Sequence, residues 1–180
     1  MLPIEGYGED QFIFMATANG TVKKTPLMDF ARPRSSGLIA IELEDDNTLI
    51  GASVTDGASD VMLFSSGGRA IRFREQDVRA MGRSARGVRG IKLRASEAVI
   101  SLIIPNADGM LLLASQKGYG KRTPVEEFSV IGRGGQGVIS MKLSERNGSL
   151  VGVAQVGSGF EVLLISDQGT MVRTRVDEVS

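Results

Sequence analysis

The sequence predicts an all-β, propeller-like array of four-stranded units, each about 50 residues long. Three observations support it. The segments Ala16–Thr25, Phe64–Phe73, Ala114–Thr123 and Ile165–Thr174 align on Gly20, Gly68, Gly118 and Gly169, at spacings of 48, 50 and 51. Each aligned glycine follows a short apolar run: Ile13–Ala16, Val61–Phe64, Leu111–Ala114 and Val162–Ile165. No window of helical length sustains a 3.6-residue period. Units of this kind bury their apolar faces only against neighbours, so the repeat sets the architecture.

The elements follow in order within each unit. The apolar run is too short for a helix and reads as a strand buried on both faces. A polar turn ending in glycine comes next, and Asn19-Gly20 and Gly67-Gly68 suit the positive φ of a hairpin. The second strand carries a basic residue in register: Lys24, Arg72, Arg122 and Arg173. A short acidic and apolar corner follows at Leu27–Phe30, Glu75–Val78, Val125–Phe128 and Val176–Val179. Phe30, Val78, Phe128 and Val179 are expected to plug the core there, with the acids capping local turns. An Arg/Gly/Ser loop then leads to Gly37, Gly87 and Gly137. Third strands are expected at Leu38–Leu43, Val88–Leu93 and Val138–Leu143, and fourth strands at Leu49–Val54, Val99–Ile104 and Leu150–Val156. The chain reads as one domain, 1–180, with repeats at 11–59, 60–109, 110–160 and an incomplete 161–180. That pattern is expected of a partial ring cut from a longer array.

Composition narrows the function. Apolar residues make up 42% and charged residues 23%, as in ordinary globular domains. Cysteine is absent, which excludes disulfides, thiolate zinc sites and a cysteine nucleophile, and fits a reducing compartment. Histidine is absent too, removing the usual general base and metal ligand. No run approaches the ~20 apolar residues of a membrane span, and Met1–Gly6 lacks the features of a signal peptide. The expectation is a soluble cytoplasmic protein without membrane contact.

No catalytic constellation and no metal site emerge. Gly132–Gly137 is glycine-rich but opens no helix after a buried parallel strand, as a dinucleotide loop would. Glu44-Asp45-Asp46 reads as a solvated hairpin tip. Tyr119, beside a repeat glycine, reads as a packing residue.

Charge is balanced overall, 21 basic against 21 acidic residues, but strongly segregated. Residues 42–60 carry six acids and no base, whereas residues 69–94 carry nine bases and two acids. Three loops present arginine among glycine and serine: Arg32 and Arg34; Arg79, Arg83, Arg86 and Arg89; and Arg133. The second strands add Lys23, Lys24, Arg72, Lys121, Arg122 and Arg173. Equivalent positions fall on equivalent faces of a radial array, so these bases are expected to form a stripe along its rim. Arginine forks and exposed backbone N–H groups bind phosphate oxygens, so the stripe suits a nucleic-acid backbone. Tryptophan is absent and aromatics are 5%, which suits duplex better than stacked single strands. Any one of these bases alone reads as a solvated surface charge.

Four strings extend this reading: Phe14–Thr25, Arg79–Arg83, Gly87–Leu93 and Gly118–Thr123. Together they resemble the C-terminal domain of bacterial DNA gyrase A, over nearly the whole chain. The resemblance implies a β-pinwheel of four-stranded blades with exchanged strands, whose rim binds and bends double-stranded DNA. It also implies work within a type IIA topoisomerase that supercoils DNA negatively. There ATP and magnesium act outside this domain, alongside gyrase B and the rest of gyrase A in an A2B2 assembly. The domain itself is expected to need no cofactor. The family's Gln-Arg-Arg-Gly-Gly-Arg-Gly box is absent. In Ile131–Gly137 only Arg133, Gly134, Gly135 and Gly137 match it. The C-terminal domain of topoisomerase IV, which also lacks an intact box, is the near alternative. A propeller serving as a protein-interaction platform is the alternative from another class.

Overall fold

The structure, a computed structural model, describes residues 2–4 and 6–180. Its basic unit is a tight hairpin: β1 (Phe12–Thr17) with β2 (Thr21–Pro26), β4 (Asp60–Ser65) with β5 (Arg69–Arg74), β8 (Met110–Ser115) with β9 (Gly120–Pro124), and β12 (Glu161–Ile165) with β13 (Met171–Arg175). A further strand lies along the other side of the first strand in three units: β3 (Leu49–Thr55), β7 (Val99–Ile103) and β11 (Leu150–Val156). β3 packs against β7 and β7 against β11, so these strands form the crowded inner edges.

The third strands depart from expectation. They shrink to β6 (Val88–Arg89) and β10 (Val138–Ile139), and Leu38–Leu43 forms no strand. As the resemblance implies, each joins the sheet of the repeat before it. The sheet orders are β3-β1-β2-β6, β10-β5-β4-β7, β11-β8-β9 and β12-β13. Val22 pairs with Val88, and Ala70 with Val138. The outermost hydrogen bonds of one blade are therefore supplied by the next repeat.

This exchange explains the glycine period. Gly137 has φ 67° where the chain turns into β10, and a Cβ there would collide with the Ala70 carbonyl oxygen. Across the same junction, the Gly68 carbonyl accepts from the N–H groups of Ser140 and Met141. A side chain at Gly68 would collide with the Met141 carbonyl oxygen. Only glycine tolerates both the conformation and the approach.

The core lies between consecutive sheets. Side chains alternate along a strand, so β4 sends Val61 and Leu63 into one cluster and Met62 and Phe64 into the next. All four are fully buried, which is why the run is continuously apolar. Phe14 and Phe73 meet in the first cluster with ring centroids 6.4 Å apart. Phe64 and Phe128 meet edge-on in the second at 6.1 Å.

The corners are short 3-10 turns at Leu27–Phe30, Glu75–Asp77, Val125–Glu127 and Val176–Glu178. Their first residues are the deepest plugs, since Leu27, Glu75, Val125 and Val176 are all buried. Val78 and Phe128 are buried as expected, but Phe30 and Val179 are only half-buried. The acids cap none of these turns with a side-chain hydrogen bond. Glu75 is the exception among the plugs, a carboxylate where the other three repeats place Leu or Val.

Replacing Gly137 with alanine should lower stability by about 1–3 kcal/mol, from the positive φ and the clash with Ala70. Gly132→Ala serves as control, because nothing lies within 4 Å of a Cβ there. Urea unfolding of both variants checks this; equal midpoints would contradict the role given to the junction.

Candidate nucleic-acid interface

The second and third Arg/Gly/Ser loops lead into the outermost strands β6 and β10, so they line the outer margin of the array, whereas the first leads into Leu38–Leu43, which forms no strand. Backbone bonds fix their course. The N–H of Met81 donates to the Lys24 carbonyl, and that of Ile131 to the Arg72 carbonyl, laying each loop along the preceding blade. The second and third loops are also tied to each other, through Gly134 N–H to the Gly90 carbonyl and Lys92 N–H to the Gly135 carbonyl.

Two side chains staple the loops in series. The Nζ of Lys23 donates to the Ala40 carbonyl at 2.7 Å and to the Arg83 carbonyl, joining the first loop region to the second. Lys23 is fully buried, and burial, aided by the Arg83 charge, lowers its pKa against a smaller opposing pull from Asp29. Arg133 joins second and third, donating to the carbonyls of Asp77 at 2.8 Å and Arg89 at 3.0 Å. These two bases are staples whose heads face the protein's own carbonyls.

The in-phase strand bases likewise do not form the expected exposed stripe. The first three reach instead across the junction to the next repeat's corner. Arg72 donates to the carbonyls of Val125 (3.0 Å) and Phe128 (3.2 Å), and pairs with Asp60 at 2.7 Å. Arg122 donates to the carbonyls of Val179 and Asp177 and pairs with the Asp177 carboxylate at 3.3 Å. Lys24 donates to the Glu75 carbonyl at 3.3 Å, lies 4.0 Å from its carboxylate, and sits 5.0 Å from the centre of the Phe12 ring. The same carboxylate accepts from the Thr55 hydroxyl at 2.6 Å. Arg173, the fourth, pairs with Glu161 of its own hairpin. The cause is the register: these bases stand opposite Phe14, Met62, Leu112 and Leu163, so their stems lie on apolar neighbours and their heads find polar partners at the sheet's edge.

Most of the remaining bases face solvent, although Arg69 is half-buried and donates to the carbonyls of Gln136 and Gly137, each at 2.9 Å. Among the described residues, ion pairs engage Lys24, Arg72, Arg86, Arg122 and Arg173. Arg32, Arg34, Arg79, Arg89 and Lys121 are exposed and outside those pairs, and Arg83 is half-exposed. Arg34 and Arg83, from successive loops, line one open cleft together with Ser36 and Ser84. Arg86 is exposed but held by Glu42 at 3.0 Å. Sequence reasoning left Lys92 and Lys142 out of the site, although both are exposed just after the exchanged strands. The alternation Ile91-Lys92-Leu93 and Met141-Lys142-Leu143 was the signal for them. Tyr119 is not a core residue either; it is exposed, and its hydroxyl accepts from Arg146 Nε at 2.9 Å.

Strand-exchanged sheets stacked side by side, with arginine loops tied in series along one margin, define a propeller-type repeat domain. The chain belongs to the DNA gyrase C-terminal domain family, described as a beta-propeller, which matches residues 11–56, 59–106, 109–156 and 161–180. It is 62% identical over 169 residues to the A subunit of DNA gyrase from Pseudomonas aeruginosa, an alignment covering 94% of this chain and 18% of that relative. The chain thus spans less than a fifth of that relative's length. Among solved structures it superposes on the C-terminal domain of DNA topoisomerase IV with a TM-score of 0.91 at 26% identity, covering 99% of this chain and 56% of the other. On the DNA gyrase A C-terminal domain the TM-score is 0.84 at 28% identity, covering 97% and 58%. The two superpositions describe a shared fold; the 62% identity lies on the gyrase side.

Stability and surface charge are carried by different arginines. Arg72→Gln should cost about 1–3 kcal/mol, because it removes the guanidinium bonds to the corner carbonyls and to Asp60. Arg34→Gln should stay within about 0.5 kcal/mol of the native chain. Thermal or urea unfolding of the two variants decides it, and equal losses would refute the division.

Proposed function

We propose that this chain is the duplex-binding and duplex-bending part of a gyrase-type type IIA topoisomerase, supporting negative supercoiling driven by ATP. Cleavage chemistry, ATP and magnesium belong to the remainder of such an enzyme. Gyrase B and the rest of gyrase A are its partners, in an A2B2 assembly in the cytoplasm. The observation that carries the proposal is the run of unpaired guanidinium groups on loops fixed in series along one margin: Arg34, Arg79, Arg83 and Arg89. The membership of the gyrase family supports the same reading.

The mechanism is electrostatic. Guanidinium forks and loop N–H groups hold successive phosphates, releasing condensed counterions, and no base edge need be read. Following a curved margin forces the duplex to bend, and the bending energy is offset by the added phosphate contacts. The stapled loops matter because a preset cationic track loses little entropy to ordering when DNA arrives. Lys23 and Arg133 contribute by holding the loops, and the free arginines by touching phosphate.

Fluorescence anisotropy with short duplexes across a salt series tests this. Affinity should fall linearly in log–log form, by about 0.9 for each phosphate neutralised. Arg34→Gln, Arg83→Gln and Arg89→Gln combined should flatten the slope by up to about 2.7 and weaken all sequences alike. Lys117→Gln should leave it unchanged, since that side chain is tied to the Glu145 carbonyl on a turn outside the loops. Energy transfer between the ends of a longer duplex should rise on binding. Salt-independent affinity, or equal effects of the two sets, would refute the reading.

A further inference from the structure

The second and third loops are tied down by different means. Between blades two and three the ties are close. Gly134 takes φ 82° and donates its N–H to the Gly90 carbonyl at 2.6 Å, and Lys92 N–H donates to the Gly135 carbonyl at 2.8 Å. Arg133 folds its guanidinium onto the carbonyls of Asp77 and Arg89. Between blades one and two, neither backbone tie recurs among the described residues. Ser84 stands where Gly134 does, and it does not take positive φ. Lys23 stands where the later junction has Ile71, a side chain that lies beside Gly135. Its Nζ takes the carbonyls of Ala40, the residue matching Gly90, and of Arg83. One ammonium thus stands in for the backbone ties.

This substitution releases one arginine. Arg83 and Arg133 hold the same place, each four residues before the loop glycine, Gly87 or Gly137. The residues matching the acceptors Asp77 and Arg89 are Asp29 and Ile39. Both line an open cleft of about 920 Å³ together with Arg83, whose carbonyl is held by Lys23 and whose guanidinium stays free. That volume falls within the ~300–1,000 Å³ of ligand-binding clefts. Arg34 of the first loop faces the same space, and Ser36 and Ser84 add hydroxyls. The lining carries two arginines against one acid, Asp29, and the Lys23 ammonium lies close enough to feel both Arg83 and Asp29.

We propose that the cleft between the first and second loops is a phosphate socket, with Arg34 and Arg83 as its jaws and Lys23 as the positioning residue that keeps Arg83 out of the staple. The inference rests on the duplex-binding reading above and adds to it. A single seat grips one backbone phosphodiester from two repeats at once, while the matching place at the next junction is filled by Arg133. Guanidinium forks bind phosphate oxygens in pairs, and two forks from facing loops fix the phosphate in position as well as in charge. The seat is set before DNA arrives, because the Lys23 bonds hold both loop regions in place.

Inorganic phosphate is the first probe, followed by NMR of the arginine Nε–H groups against sodium chloride of equal ionic strength. The Arg34 and Arg83 signals should shift together and saturate, while Arg133 stays still. Arg83→Gln should abolish most of the Arg34 shift. A uniform drift of all exposed arginines, Arg32 and Arg79 included, would overturn the socket. The second arm gives the first junction the residue of the next. In Lys23→Ile, Arg83 should fold onto the Asp29 and Ile39 carbonyls, so its Nε–H should exchange with water as slowly as that of Arg133. The duplex salt slope should flatten by about 0.9, one phosphate contact, and Arg83→Gln should then cost nothing more. Additive losses, or an Arg83 Nε–H that still exchanges fast, would remove Lys23 from the positioning role. Circular dichroism checks folding, and the phosphate titration of the native chain decides the socket even if that variant unfolds. The two readings fail separately. If phosphate finds no seat while the combined Arg34, Arg83 and Arg89 variant still loses duplex affinity, the socket alone is wrong. If the seat fills but duplex affinity is independent of salt, the duplex reading is wrong and the cleft remains an anion site.

Discussion

The outer edges of the first two blades in this chain are completed by the repeat that follows. The outer hydrogen bonds of β2 and β5 are filled by two-residue strands arriving from the next unit. Two other features depend on this arrangement. Glycine must stand where the arriving strand crosses the hairpin turn, and the loop leading to that strand must run along the outer margin. The arginine loops are thus the approach path of the exchanged strand, and their position follows from the exchange. An element that joins blades therefore also carries the charged surface.

The second joining device is the cationic latch from a second strand to the next corner. The first carbonyl of a corner accepts one N–H within its own turn, as Val125 does from Phe128, and keeps a second lone pair that a cation from the preceding repeat can fill. A guanidinium has donors enough to serve two carbonyls at once, as Nη1 of Arg72 does with Val125 and Phe128. Apolar clusters supply the attraction between sheets without direction, and the latch adds the direction. In both devices, one repeat is bound to its successor.

Much of the fold was legible in the sequence, because glycine spacing and four-residue apolar runs report burial and turn geometry directly. Val61–Phe64 declared a strand buried on both faces, and the structure places its alternate residues in two different cores. The exchange was not legible from the residues themselves. Periodicity marks Val88 and Val138 as strand residues but not which sheet they enter. The site divided in the same way. That Arg34 and Arg89 are exposed, and Arg83 half so, was readable from loop composition, since glycine and serine leave arginine uncovered. Lys24, Arg72 and Arg122 misled because recurrence at a fixed phase reports a shared environment, and a shared environment can be a buried joint as easily as an open face. Their apolar cross-strand neighbours were the informative signal, and these become visible only once the hairpin register is known.

Glu75 shows how far the units have diverged beneath their common outline. Where the other corners insert Leu27, Val125 or Val176, this one inserts a carboxylate, and the latch facing it is Lys24, where the later repeats have arginine. The two departures form a matched lock and key, completed by the Thr55 hydroxyl. Modules of this chain are therefore not interchangeable bricks. Shuffling them, or grafting one from a relative, would strand an acid or an amine inside the protein unless both halves of the joint travelled together.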